Sequence, residues 1–214
     1  MQIVELLNLS PEELDRYLAN GWFRMNQAIF TTHIEWLNDS LYLVIWLRIK
    51  LKDFNTDKKY NELHKKNKSF RTEITTAALT EKHEELFSLY KKSKPFEASS
   101  SLQSLLYHNK SYNVYNTWMI NVFDGNELIG AGFFDIGKNS AAGISSFYHP
   151  DYNKYSIGLF MIYEKMFYCK GKGLKYFYPG YYAPHYPAFD YKLKIGKPAL
   201  EFYNPVQEEW VLFY

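Results

Sequence analysis

Two short stretches concentrate the residue types that do chemistry. The first, FYHPDYNKYSIGLF (Phe147–Phe160), ends in Ser156-Ile157-Gly158 at the start of an apolar helical pattern. A serine there can cap the helix, and a glycine lets a ligand approach the free amides at its positive end, where an anionic group is stabilised. The second, YPGYYAPHYPAFDYKLK (Tyr178–Lys194), holds five tyrosines and three prolines and contains the pair Tyr191-Lys192. Proline stiffens a loop, tyrosine gives flat contact area with a hydroxyl, and lysine adds a cation. That combination suits either the aromatic wall of a binding site or the crowded edge of a core.

The rest of the chain must position these residues. At 214 residues, 47% hydrophobic and 22% charged, it can bury a sizeable core as one large domain or two small ones. A formal charge of +2 excludes a global field that would attract nucleic acid. Contact with nucleic acid then needs a local patch, for which Lys58, Lys59, Lys65, Lys66 and Lys68, and later Lys91, Lys92 and Lys94, are the candidates; the competing reading is a solvated helix face. Cys169 is the sole cysteine, which excludes a disulfide framework or a cysteine-built metal cluster within the chain. No apolar run nears the ~20 residues that cross a bilayer, and the N-terminus shows no basic leader, so a cytoplasmic protein without a membrane partner is expected.

LSPEELDRYLANG reads as a helix, with Ser10 as N-cap, Glu13 closing a capping box and Asn20-Gly21 as the stop. Gln27–Trp36 and Leu41–Leu51, separated by LNDS, predict an antiparallel hairpin, and a basic helix follows from Asp57. TEKHEELFSLYKKS predicts a helix capped by Thr80 with Leu86, Leu89 and Tyr90 on one face; after Pro95 and a loop over Glu97–Ser101, SLQSLLYH adds a short one. YNTWMINVF, NELIGAGFFDI and AAGISSFYH form a meander with turns at Asp124-Gly125 and GKNS. SIGLFMIYEKMFYCKGKG is a long helix with Leu159, Ile162, Met166 and Cys169 on one face, and LKYFYPG and EEWVLF are closing strands.

This order predicts a mixed α/β (α+β) sheet. The meander ahead of a single long helix makes it similar to the acyl-CoA N-acyltransferase (GNAT) arrangement. A division into residues 1–75 (helix, β-hairpin extension, basic helix) and 76–214 (the GNAT-like part) is expected.

At these residues the chain resembles the arginyl-tRNA protein transferase family, including its bacterial leucyl-transferring members. The family's aromatic-aromatic-x-Pro-Asp turn and Ser-Leu-Gly helix start are matched by Phe147-Tyr148-His149-Pro150-Asp151 and Ser156-Ile157-Gly158. Its Gly-Tyr-Tyr and Tyr-Lys motifs are matched by Gly180-Tyr181-Tyr182 and Tyr191-Lys192. Its Gly-Trp-Arg-Arg and Leu-Arg-Ile segments are matched by Gly21, Trp22, Arg24 and by Leu47, Arg48, Ile49. The chain lacks the family's N-terminal cysteine cluster, so no cofactor is carried over. Tyr186, Ala188 and Phe189 stand where cysteine, lysine and methionine are common.

The resemblance implies transfer of an arginyl or leucyl group from the 3′-end of an aminoacyl-tRNA to the N-terminal amine of a protein with an acidic first residue. It implies Ser156 and Gly158 as oxyanion-stabilising amides, Asp151, His149 or His185 as proton acceptors, and Lys192 as the group for an acidic side chain or a phosphate. Tyr181, Tyr182 and Tyr191 would stack on the terminal adenine, Tyr148 lies in the donor turn, and Arg24 would meet phosphate beside Trp22, itself read chiefly as core. Glu164 or Asp190 would suit an arginyl pocket, whereas leucine would want an apolar one. An acetyl-CoA-dependent N-acetyltransferase and a non-catalytic binder of peptides or tRNA are the competing functions; NKYSIGLF supplies only one glycine of the loop that cradles CoA pyrophosphate.

Overall fold

The computed structural model describes residues 1–37, 39–94, 99–108 and 110–213. Strand β1 (Gln2–Glu5) leads into helix α1 (Pro11–Ala19), whose Ser10 hydroxyl accepts from the Glu13 amide while the Glu13 carboxylate accepts from the Ser10 amide, the expected capping box. Strands β2 (Phe23–Met25) and β3 (Ala28–Thr31) join β1 in a small sheet of order β1-β3-β2. Strands β4 (Ile34–Leu37) and β5 (Ser40–Leu43) form a separate two-stranded ribbon with Trp36, Leu41 and Leu43 exposed.

The single expected hairpin of Gln27–Trp36 with Leu41–Leu51 is therefore divided among three sheets. The last part of it, β6 (Ile45–Lys50), lies in the middle of the large sheet. Trp46, Leu47 and Ile49 are buried on successive faces, which suits a strand covered on both sides.

Helix α2 (Lys58–Asn67) starts at Asp57, whose carboxylate accepts from the Tyr60 amide at 2.6 Å, and its lysines are solvated. An edge strand the sequence did not announce, β7 (Arg71–Thr76), follows. Helix α3 (Glu81–Lys92) buries His83, Leu86 and Phe87, and Leu89 faces solvent, contrary to expectation. The buried stripe is 83, 86 and 87, continued by the half-buried Tyr90, and position 89 falls outside it. The expected break at Pro95 and the first residues of the Glu97–Ser101 loop lie outside the described residues; helix α4 (Leu102–Tyr107) comes next.

The meander appears as β8 (Thr117–Asp124), β9 (Glu127–Ile136) and β10 (Ser140–Tyr148). A 3-10 turn over Pro150–Tyr155 enters helix α5 (Ile157–Gly171), which leads to β11 (Tyr176–Tyr182). A second 3-10 segment, Pro187–Lys194, precedes β12 (Leu200–Asn204) and β13 (Glu209–Leu212). The large sheet has the order β13-β12-β6-β11-β10-β9-β8-β7, and β10 with β11 is its parallel pair. Strands from both sides of residue 75 share it. This is the mixed, GNAT-like sheet expected from the element order.

Helix α5 packs between the sheet and α2, and it is buried round most of its circumference. Ile157, Phe160, Met161, Tyr163, Lys165, Met166 and Cys169 are all buried, so the expected one-sided stripe is too narrow. Among the described residues no helix is long and apolar enough to cross a membrane.

Candidate active site

A cleft opens where the parallel pair comes apart. β10 and β11 are paired only from Ser140–Ala142 to Tyr176–Tyr178. Beyond that point β10 slips register against β9 between Gly143 and Ser145, and β11 slips against β6 between Phe177 and Gly180. Such irregularities bend a strand away from its neighbour, and Pro179 has no N–H to hold the ladder. Gly180, at φ +85°, takes a backbone conformation that favours glycine.

The gap is roofed by α5 and the Pro187–Lys194 segment. It has an inner lobe of about 120 Å³ and an outer lobe of about 390 Å³ that share Ser146, Ile162 and Tyr191. Ile144, Phe177 and Pro179 line the inner lobe with Lys165 and Lys192; Tyr90, Lys94, Tyr148 and Leu159 line the outer one with Ser156 and Gly158. Among the described residues no carboxylate lines either lobe.

Lys192 is buried, and its Nζ donates to the Tyr181 carbonyl at 2.7 Å while lying 4.6 Å from the centre of the Phe189 ring. Lys165 projects from α5 with its side chain almost wholly enclosed; its Nζ lies 2.9 Å from Ser146 Oγ, 3.2 Å from the Ser145 carbonyl and 3.4 Å from the Phe133 carbonyl. Burial pulls both ammonium groups down to about 7 from the ordinary lysine value of 10.5.

Between pH 7 and 9 the unfolded chain binds more protons at these two positions than the folded one, so stability should rise with pH across that window. Below pH 7 both states are protonated and the cost of the buried charges is fully present. Urea unfolding of the wild type from pH 6.5 to 9 should show the rise, and Lys165→Met should reduce its slope, leaving the part due to Lys192; a flat wild-type profile would contradict the burial of these charges.

The structure gathers part of the sequence-derived site. Tyr148, Ser156, Gly158, Tyr191 and Lys192 all border the cleft. The Ser156 hydroxyl makes no capping bond, since the residue sits at φ +55°, and the first amides of α5 are left without a side-chain partner. Gly158 is needed for packing: a Cβ there would lie 3.1 Å from the Tyr148 ring. Tyr148 donates to Asn153 Oδ1 at 3.0 Å, and Tyr191 is 41% exposed at the mouth.

Other candidates lie elsewhere. Arg24 is not at the surface for phosphate: it is buried, with Nη1 2.8 Å from Asp135 Oδ1, because the small sheet packs it against the meander. Trp22 packs edge-on to Tyr17 in the core beside α1. Tyr182 belongs to the core under α5, and the Tyr181 ring is closed between Trp46 and Phe189. Asp151 and His185 are exposed and line neither lobe; His149 Nδ1 is 3.8 Å from Asp151 Oδ2. Glu164 accepts from the Tyr60 hydroxyl on α2, and Asp190 is exposed, so neither carboxylate faces the cleft.

Sequence reasoning missed Ser146 and Lys165. The available signal was the charged pair Glu164-Lys165 inside the otherwise apolar helix GLFMIYEKMFYC. Lys94, singled out only as part of a basic patch, stands in the outer lobe with its Nζ 5.4 Å from the centre of the Tyr148 ring.

Residues 55–200 match the family described as arginine-tRNA-protein transferase, C terminus. An aspartate/glutamate leucyltransferase of Leptospira interrogans is 29% identical over 211 residues, covering 95% of this chain and 79% of that protein. One from Helicobacter hepaticus is 25% identical over 194 residues, covering 86% and 77%. Among solved structures, FemX aligns with a TM-score of 0.50 over 84% of this chain and 63% of that chain at 9% identity, a likeness of fold.

Proposed function

We propose that this chain, which belongs to the arginine-tRNA-protein transferase family, transfers leucine from leucyl-tRNA to the N-terminal amine of proteins that begin with aspartate or glutamate. The observation that carries this reading is the lining of the cleft: apolar walls from Ile144, Leu159, Ile162 and Phe177, buried lysines, and no carboxylate among the described residues. An arginyl side chain would find no counter-charge there, whereas a leucyl side chain needs only apolar contact. The names of the two leucyltransferase relatives point the same way.

The chemistry asks for little beyond geometry. An aminoacyl ester is already activated, and holding amine and ester in attack position is worth about 7 kcal/mol or more. The free amides at the start of α5 can receive the oxyanion formed on attack. Tyr191 at the mouth, with Tyr148 and Lys94, offers a stacking face and a cation for the terminal adenosine and its phosphate. Among the described residues Lys192 has no acidic partner, and the carboxylate of an incoming aspartate or glutamate would complete an ion pair.

The test is a side-by-side assay with leucyl-tRNA and arginyl-tRNA on peptides beginning with aspartate, glutamate or glutamine. Leucine transfer to the two acidic peptides is expected. Transfer of arginine alone would overturn the donor assignment, and no transfer from either tRNA would overturn the enzymatic reading.

A further inference from the structure

We propose that Ser146 and Lys165 form a proton relay that takes the proton from the attacking amine and returns it to the leaving ribose oxygen. The proposal rests on the transfer reading above and adds residues to it. Lys165 reaches the cleft from inside the protein, and among the described residues it makes no ion pair. The titratable groups around it are Cys169, one turn along α5, and Tyr191 and Lys192 across the inner lobe. None of these offers a negative counter-charge near neutrality.

A neutral amine has two donors and one lone pair. The two carbonyls of Phe133 and Ser145 take the donors, and the Ser146 hydroxyl at 2.9 Å can give its proton to the lone pair. The inventory closes for the uncharged lysine with no counter-ion needed. An ammonium in the same place would make three hydrogen bonds and still lack a counter-ion.

Ser146 borders both lobes, so its oxygen stands between the enclosed lysine and the space where donor and acceptor meet. The pocket is shaped for the pair. A Cβ on Gly132 of β9 would lie 2.8 Å from Ser146 Oγ and 3.0 Å from Lys165 Nζ, so a side chain at this position would push them apart.

The steps balance. The amine nitrogen attacks the ester carbonyl, the C–N bond forms and the carbonyl electrons move onto oxygen. The new ammonium gives a proton to Ser146 Oγ as the serine proton moves to Lys165 Nζ. On collapse the C–O bond to the ribose breaks, and the proton returns through Ser146 to that oxygen. Lysine ends neutral, with one amide and one ribose hydroxyl formed. General-base help of this kind is worth about 100- to 10,000-fold.

The experiment has one arm that needs no substrate. Protein labelled with ¹³C and ¹⁵N at lysine side chains is titrated by NMR as wild type, Ser146→Ala and Lys165→Met, the last assigning the signal. The second arm measures leucine transfer against pH for the same proteins and for Ser146→Thr. The relay predicts that Lys165 loses its proton near neutrality in the wild type and that Ser146→Ala moves that titration. It predicts a loss of about 100-fold or more in transfer for Ser146→Ala and Lys165→Met, with the acid limb changed in the latter, and retention in Ser146→Thr. Lys165 remaining protonated through pH 9 overturns it, as does transfer by both damaging variants at the wild-type rate and pH profile. If the wild type transfers from neither tRNA, the transfer reading fails and the catalytic relay falls with it; if it transfers and the variants match it, the relay alone fails.

Discussion

Alanine at Arg24 is expected to destabilise the protein by about 3 to 5 kcal/mol while leaving the cleft untouched. The Arg24 and Asp135 side chains are 1% and 0% exposed, and Nη1 also donates to Thr117 Oγ1 at 2.9 Å. Nε donates to the Asn26 carbonyl at 2.7 Å, Nη2 donates to the Leu106 carbonyl, and the guanidinium stacks over Tyr115. One side chain thus ties the small sheet to α4 and the meander. Its removal strands a buried carboxylate whose Oδ2 already lacks a partner among the described residues. Urea unfolding reads the effect directly. The double variant Arg24→Met, Asp135→Leu should recover much of the loss, since it removes the orphaned charge as well. Transfer kinetics at a temperature where Arg24→Ala is folded should match wild type; a raised KM for tRNA at unchanged stability would instead restore the phosphate contact read from the sequence.

Methionine at Lys192 is expected to lower kcat/KM for peptides beginning with aspartate or glutamate on the order of 10- to 100-fold, the worth of a hydrogen bond to a charged group. The change should fall mainly on KM for the peptide. A peptide beginning with glutamine should be affected much less, so the variant loses discrimination. The fold should not suffer, because the ammonium is buried with, among the described residues, only the Tyr181 carbonyl as a hydrogen-bond partner and two aromatic rings nearby. An equal loss on acidic and neutral peptides would mean that Lys192 serves the tRNA or the wall of the cleft.

Local signals carried far in this chain. Capping residues, the Asp124-Gly125 turn and the glycines after α5 each act within a few residues of themselves, so the helices and the meander could be placed from sequence. The failures share one cause. Gln27–Leu51 reads as one hairpin because alternation and turn residues are local, yet β6 pairs with β11 and β12, more than a hundred residues away. Leu89 reads as covered yet faces solvent, because a helix pattern shows its apolar residues and not which neighbour arrives to cover them.

The active-site candidates divide along the same line. Ser156, Gly158, Tyr191 and Lys192 belong to contiguous motifs, and it is through these motifs that the sequence resembles the transferase family. Sequence by itself determined the class of fold, the family and the two segments that meet over the cleft. Only the tertiary structure decided that Arg24 is an internal strut, that no carboxylate among the described residues lines the cleft, and that Ser146 and Lys165 face one another. Those outcomes depend on where two strands part and which side chains are drawn inside, and burial, which fixes a lysine's charge and an arginine's partner, is a property of the assembled layers.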